Sequence, residues 1–255
     1  MKTIILCGGR GSRLSEETDT KPKPMVEIGS QPILWHIMKL YSHFGFKEFI
    51  LALGYKSEII KQYFLNYHYY NSNLTVDIQT GSVTHQNSHD EDWKVHLIET
   101  GRSTQTGGRF KRGMKYAGNE RVLATYGDGV ANLNIADVVN FHKKHGKLAT
   151  MTAVRPAARF GDLVLDDSQI IGFSEKSQAG GGWINGGFFV LEPEVAEYVE
   201  DDSMPFEGVP INKLTGEGQI MAYKHEGFWQ PMDTLREKQL LEKYWESGKA
   251  PWKIW

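Results

Sequence analysis

The feature that most restricts the fold is an alternation. Apolar runs of strand length are separated by stretches with helical periodicity through roughly residue 155. The first run, "TIILC", is apolar throughout and breaks at Gly8-Gly9, as a strand buried on both faces does. Ile33, Ile37, Tyr41 and Phe44 then recur at helical spacing, and Gly45 is a natural stop. "KEFILALG" predicts a strand, and "SEIIKQYFLNY" a helix with Ser57 as N-cap. A polar loop is expected over 80–92. "WKVHLIET", "RVLATYGD" and "LATMTAV" read as strands, with "GGRFKRGMKYAG" and "IADVVNFHKKHG" as the helices between them. Such alternation predicts an α/β fold with a mostly parallel sheet and helices on both faces.

Beyond residue 155 the pattern turns strand-rich, in "FGDLVLDD", "QIIGFSEK" and "WINGGFFVL", before a closing helix in "DTLREKQLLEKYWESGK". The chain has no internal repeat and no linker-like tract. We expect one domain of 255 residues. Its parts are a first half at about 1–155, a second half at about 156–232, and a C-terminal helix and tail at 233–255.

Charge and cysteine content narrow the setting. The formal charge of −2 gives no electrostatic reason to expect nucleic acid or an anionic membrane as partner. Cys7 is the single cysteine, which fits a reducing compartment. The apolar start is cut short at Gly8, too soon for a signal peptide, and no run is long enough to span a bilayer. A cytoplasmic location is expected.

The chemistry begins at "GGRGSRL". A dinucleotide loop needs a third glycine where Leu14 stands, and a Walker loop needs Gly-Lys-Ser/Thr where Gly11-Ser12-Arg13 stands. A plain strand-to-helix turn remains open. Exposed amides of such a turn suit phosphate oxygens, and Arg13 and Lys23 add cations. Lys23 lies between Pro22 and Pro24, whose rings stiffen the segment.

Asp128 follows a predicted strand between Gly127 and Gly129, as a metal anchor or a turn residue. Asp233 precedes Thr234-x-x-Glu237, a capping box; if Thr234 caps the helix, Asp233 is available for another role. Asn185 and Gly186 suit a polar ligand or a β-bulge. Arg109, Lys111, Arg112 and Lys115 suit a ligand or a solvated face. His142 and His145 form no metal pattern and read as exposed. Trp252 and Trp255 either pack within the chain or support self-association.

From "GGRGSRLSEETDTKPKPM" through "YGDGVANL", "ARFGDLVL", "INGGFFVLEPEV", "GFWQPMDTLREK" and "GKAPWK", the chain resembles the sugar-1-phosphate nucleotidyltransferases over essentially its whole length. The resemblance implies a Rossmann-like, mostly parallel mixed sheet with a smaller β-rich portion for the sugar: a nucleotide-binding half at about 1–155 and a sugar-phosphate half at about 156–232. It implies CTP and a sugar 1-phosphate, glucose 1-phosphate first, as substrates, with Mg²⁺ as cofactor and a homo-oligomeric assembly.

It also assigns residues. Leu6, Cys7, Gly8, Gly9, Arg10, Gly11, Ser12, Arg13, Lys23, Thr104, Gly108, Arg109 and Asp128 would meet the nucleotide, with Arg13, Lys23 and Asp128 catalytic. Asp128 and Asp233 would hold the metal. Glu175, Lys176, Asn185 and Gly186 would meet the sugar phosphate, although Ser177 stands where the family's E-K-P pattern has proline. Alternatives are another nucleotide or sugar phosphate, or a non-catalytic sugar-nucleotide-binding regulatory protein on the same fold. An NAD-binding oxidoreductase is disfavoured by Leu14.

Overall fold

The computed structural model describes residues 1–86, 91–156, 162–166, 168–174 and 182–255. At its centre is a seven-stranded sheet. Its strands are β1 (Thr3–Cys7), β2 (Glu48–Leu53), β3 (Lys94–Glu99), β4 (Val122–Tyr126), β5 (Ala149–Val154), β6 (Ile184–Leu191) and β7 (Ile220–His225). They lie in the order β7-β5-β6-β4-β1-β2-β3. β1 is parallel to β2 and β4, β2 to β3, and β5 to β7. β6 runs antiparallel to both β4 and β5. The expected mixed, mostly parallel α/β sheet is therefore present. "INGGFFVL" and the segment around "IMAYKH" belong to this sheet, beside the strands of the first half.

The residues of β1 alternate between two cores. Ile5 and Cys7 face one, with helices α1 (Ile33–His43), α4 (Ile135–His145) and α5 (Leu235–Glu246). Ile4 and Leu6 face the other, with α3 (Thr106–Ala117). Helices thus cover both faces, as parallel strands require. α2 (Ser57–Leu65) packs Ile60 into the first core.

Several local expectations change. Ser57 does not cap α2: Lys56, in the left-handed region at φ 50°, holds that position, and the Ser57 hydroxyl donates to Glu99 Oε1 at 2.7 Å. The expected loop over 80–92 contains Val83–Gln86, paired antiparallel with Asn73–Val76 in an exposed hairpin. Its period-two pattern is masked by polar residues on both faces.

His142 is buried, not exposed. Burial lowers its pKa, and the ring is held between Thr150 Oγ1 at 2.8 Å and Glu192 Oε1 at 3.1 Å. His145 also turns inward to Thr150 Oγ1, at 2.7 Å. Trp252 packs within the chain, stacked on Phe228 and Trp245.

Candidate active site

The strand order reverses direction at β1. The chain moves from β1 to β2 and β3 on one side, then returns to place β4 on the other. Ligands of open α/β sheets bind beyond the carboxyl ends of strands at such a switch point. The glycine turn follows β1 and Asp128 follows β4, so both open onto this crevice. A cleft of about 820 Å³ lies there. Leu6, Gly8, Gly9, Arg10, Gly11, Arg13, Lys23, Thr104, Arg109, Asp128, Asn185, Gly186 and Asp233 all line it.

Gly11 shapes the turn. Its φ is +64°, and an added Cβ would stand 3.0 Å from Thr18 Cγ2 and 3.1 Å from Lys23 Cβ. The Thr18 hydroxyl donates to Gly11 O at 3.1 Å and ties the turn down. Pro22 is extended, and Lys23–Met25 forms one short 3₁₀ turn that is buried throughout. Lys23 is thus held in a buried turn between Pro22 and Pro24.

Lys23 points at two carboxylates. Its Nζ is 2.7 Å from Asp128 Oδ2 and 2.5 Å from Asp233 Oδ1. Arg13 Nη1 lies 3.1 Å from Asp233 Oδ2. Burial works against the lysine's charge, but Asp128 and Asp233 outweigh it and hold the ammonium above its ordinary pKa.

Asp233 reaches this point although it is 210 positions from Lys23. A short antiparallel pair, Gly129–Ala131 with Trp229–Pro231, brings the two acids together, and Met232 N–H donates to Asp128 O at 2.8 Å. Thr234 caps α5. Its Oγ1 accepts from Glu237 N–H at 3.3 Å, and Glu237 Oε2 accepts from Thr234 N–H at 2.9 Å. The capping box leaves the Asp233 carboxylate for the cleft.

Arg109 is a buried strut, not part of a solvated face. It donates to Leu53 O at 3.0 Å, Thr100 Oγ1 at 2.6 Å and Gly8 O at 3.1 Å, so it joins the ends of β1 and β2 to the residue after β3. Burial pulls its pKa down. The expected basic face is divided: Arg112 pairs with Asp202, and Lys111 donates to Val199 O. Thr104 is buried beside Arg109 and donates to Thr100 O at 2.5 Å.

Not every expected residue reaches the cleft. Cys7 is fully buried in the core, where burial pushes its thiol pKa up and leaves it protonated. Gly108 packs on the Asp202 backbone, where an added Cβ would stand 2.8 Å from Asp202 Cα. Ser12 starts the short 3₁₀ turn after Gly11. Glu175, Lys176 and Ser177 lie outside the described residues.

On the far wall, Asn185 Nδ2 donates to Tyr126 Oη at 3.2 Å, and Trp229 Nε1–H donates to Gly186 O at 2.8 Å. Tyr126, Thr106 and Trp229 line the cleft but were not singled out in the sequence. Tyr126 stands just before Gly127-Asp128, and Trp229 is in the "GFWQP" run, so proximity to the motifs was the available signal.

Fold, switch-point cleft and paired acids define an α/β protein whose cleft sets Lys23 and Arg13 against two carboxylates. The family model for nucleotidyl transferases matches residues 2–245, and the chain belongs to that family. It is 52% identical to the glucose-1-phosphate cytidylyltransferase of Salmonella typhi, across 100% of both chains. It is 44% identical to a probable glucose-1-phosphate cytidylyltransferase of Bacillus subtilis, again across 100% of both. Among solved structures it is similar to HddC from Yersinia pseudotuberculosis, with TM-score 0.71 and 23% identity over 96% of this chain and 99% of that one; this likeness concerns the fold.

Proposed function

We propose that this protein transfers CMP from CTP to α-D-glucose 1-phosphate, giving CDP-glucose and pyrophosphate. The observation that carries this reading is the full-length similarity to glucose-1-phosphate cytidylyltransferases at 52% identity. The cleft supplies parts such a reaction needs.

A sugar-phosphate oxygen attacks the α-phosphorus in line as the bond to pyrophosphate breaks. A phosphate monoester has its second pKa near ~6, so the nucleophile is largely ionised at neutral pH and needs no general base. The barrier is one of bringing polyanions together and stabilising charge on the leaving group. The glycine-turn amides and Arg13 would hold the β- and γ-phosphates. Lys23 would leave its carboxylates for the α-phosphate and the incoming phosphate. Arg109 would hold the turn in place from beneath, and Asn185 and Gly186 would meet sugar hydroxyls.

Asp128 and Asp233 fit a hard divalent cation. Both present oxygens to one cationic group already, and Mg²⁺ takes one or two carboxylates with phosphates and water completing its shell. When bound there, Mg²⁺ would supply charge neutralisation for the phosphates. No helix among the described residues is long and apolar enough to cross a membrane. A single cysteine, Cys7, buried as a free thiol, suits the reducing cytoplasm, where we place the protein.

A panel of four nucleoside triphosphates against several sugar 1-phosphates, with Mg²⁺ and pyrophosphate as readout, tests the proposal. The CTP and glucose 1-phosphate pair should give the highest kcat/KM. Highest turnover with another pair moves the substrate assignment, and no pyrophosphate with any pair favours a binding protein.

A further inference from the structure

A carboxylate outside the cleft fixes the direction of a hydrogen-bond chain that ends on Asn185. Both Glu207 oxygens are engaged. Oε1 accepts from the Tyr126 hydroxyl, and Oε2 accepts from Thr106 Oγ1 at 2.6 Å. Thr106 Oγ1 already accepts from Phe206 N–H at 2.8 Å, so its proton is the one available for Glu207. An ionised carboxylate only accepts. Tyr126 must therefore give its single proton to Glu207, leaving oxygen lone pairs on the other side.

That oxygen faces Asn185 Nδ2 at 3.2 Å, which donates to it. On the amide's other end, Oδ1 accepts from Gly187 N–H at 2.8 Å. The two contacts exclude the flipped amide, which would set two acceptors against each other at Tyr126 and two donors at Gly187. One Nδ2 hydrogen and one Oδ1 lone pair remain for a ligand. A donor and an acceptor side by side suit neighbouring hydroxyls of a sugar ring. The Tyr126 ring is itself held: it packs on Phe110 and Phe189, and Gly187, at φ +80°, lets it lie where a Cβ would stand 2.5 Å from Tyr126 Cδ2.

We propose that Glu207 is a positioning residue for the sugar side of the cleft, acting through the Tyr126 hydroxyl to set the Asn185 amide. Glu207 itself does not line the cleft. The inference rests on the reading of Asn185 as a sugar-hydroxyl contact. Burial and Glu207 both raise the Tyr126 pKa, so the phenol stays a donor at neutral pH.

The test is steady-state kinetics with glucose 1-phosphate varied at saturating CTP, and the reverse. Tyr126→Phe and Glu207→Ala should each raise the KM for glucose 1-phosphate about 5–10-fold, the scale of one hydrogen bond. kcat and the KM for CTP should stay within about twofold. The double variant should be no worse than either single, because both break one chain. Glu207→Gln offers one acceptor oxygen to two donors and should fall between Glu207→Ala and the parent. Tyr126→Phe keeps the ring and its packing, so it reads the hydroxyl alone.

Asn185→Ala separates the two layers. If it raises the sugar KM while Tyr126→Phe and Glu207→Ala do not, the Glu207 inference is overturned and the Asn185 reading stands. If Asn185→Ala leaves the sugar KM unchanged, the reading beneath the inference is lost, and the inference with it. Additive effects in the double variant, or an equal rise in the KM for CTP, indicate general loosening and also overturn it.

Discussion

Lys23→Met removes one ammonium and keeps most of the aliphatic stem. In the parent protein that ammonium lies 2.7 Å from Asp128 and 2.5 Å from Asp233, with only 10% of the lysine side chain exposed. Deleting one partner of a fully buried ion pair costs about 3–5 kcal/mol. Asp128 keeps 32% of its side-chain surface and Asp233 17%, and Arg13 still holds Asp233. The expected loss is therefore about 2 kcal/mol, below the fully buried range. For a chain of this size that lowers Tm by about 4–8 °C.

A second consequence is more specific. Without the lysine, two carboxylates face the cleft without their shared cation, and a divalent ion can take its place. Mn²⁺ without nucleotide should raise the variant's Tm, by up to about 2.7 kcal/mol of stabilisation at a hundred times its Kd. The parent protein, whose acids are already paired with Lys23, should respond far less. Thermal unfolding of both proteins with Mn²⁺ or with EDTA reads this directly. An unchanged Tm in Lys23→Met, or equal stabilisation of the parent by free Mn²⁺, would refute the reasoning.

Three further outcomes follow from other contacts. Gly8→Ala places a Cβ 1.9 Å from Arg109 Nη1; losing one of that guanidinium's three contacts costs about 1.5–3 kcal/mol, seen as a lower urea midpoint. A midpoint equal to the parent's would show that the guanidinium has room to move. Asp128→Asn should lower kcat/KM in a pyrophosphate-release assay by several kcal/mol of transition-state stabilisation, while an unchanged value removes the metal-ligand assignment.

His36 is fully buried, and burial first, offset in part by its backbone hydrogen bonds, lowers its pKa from 6.5 to about 4. The neutral ring is favoured in the folded state, so its contribution is complete above pH 6.5 and fades as pH falls from 6.5 towards 4. The loss is about 3 kcal/mol across that window. Urea unfolding of the parent and of His36→Gln at both ends of the window should differ in slope by that amount. Parallel pH profiles would remove His36 as the cause.

The elements of the first half were legible because their signals are local. "TIILC" ending at Gly8-Gly9 and the spacing of Ile33, Ile37 and Tyr41 state a strand and a helix without reference to distant residues. Thr234 and Glu237 were legible for the same reason, since a capping box lies within one helical turn. Ser57 misled because a hydroxyl near a helix start is only a candidate cap, and here it donates to Glu99 on β3 instead. His142 misled because its partners, Thr150 and Glu192, lie outside its helix, and a helical pattern does not display them.

The sequence by itself determined the alternating α/β plan, the glycine turn, the stiffened Lys23 and the availability of Asp233. These follow from backbone preference and short-range periodicity. The tertiary structure alone decided that β6 inserts antiparallel between β4 and β5, that Arg109 braces the turn beneath Gly8, and that Asp128 and Asp233 share Lys23. Each of these joins residues far apart in the chain. Such contacts form only once sheet pairing and burial bring them together, and no local preference encodes which distant partner a side chain will meet.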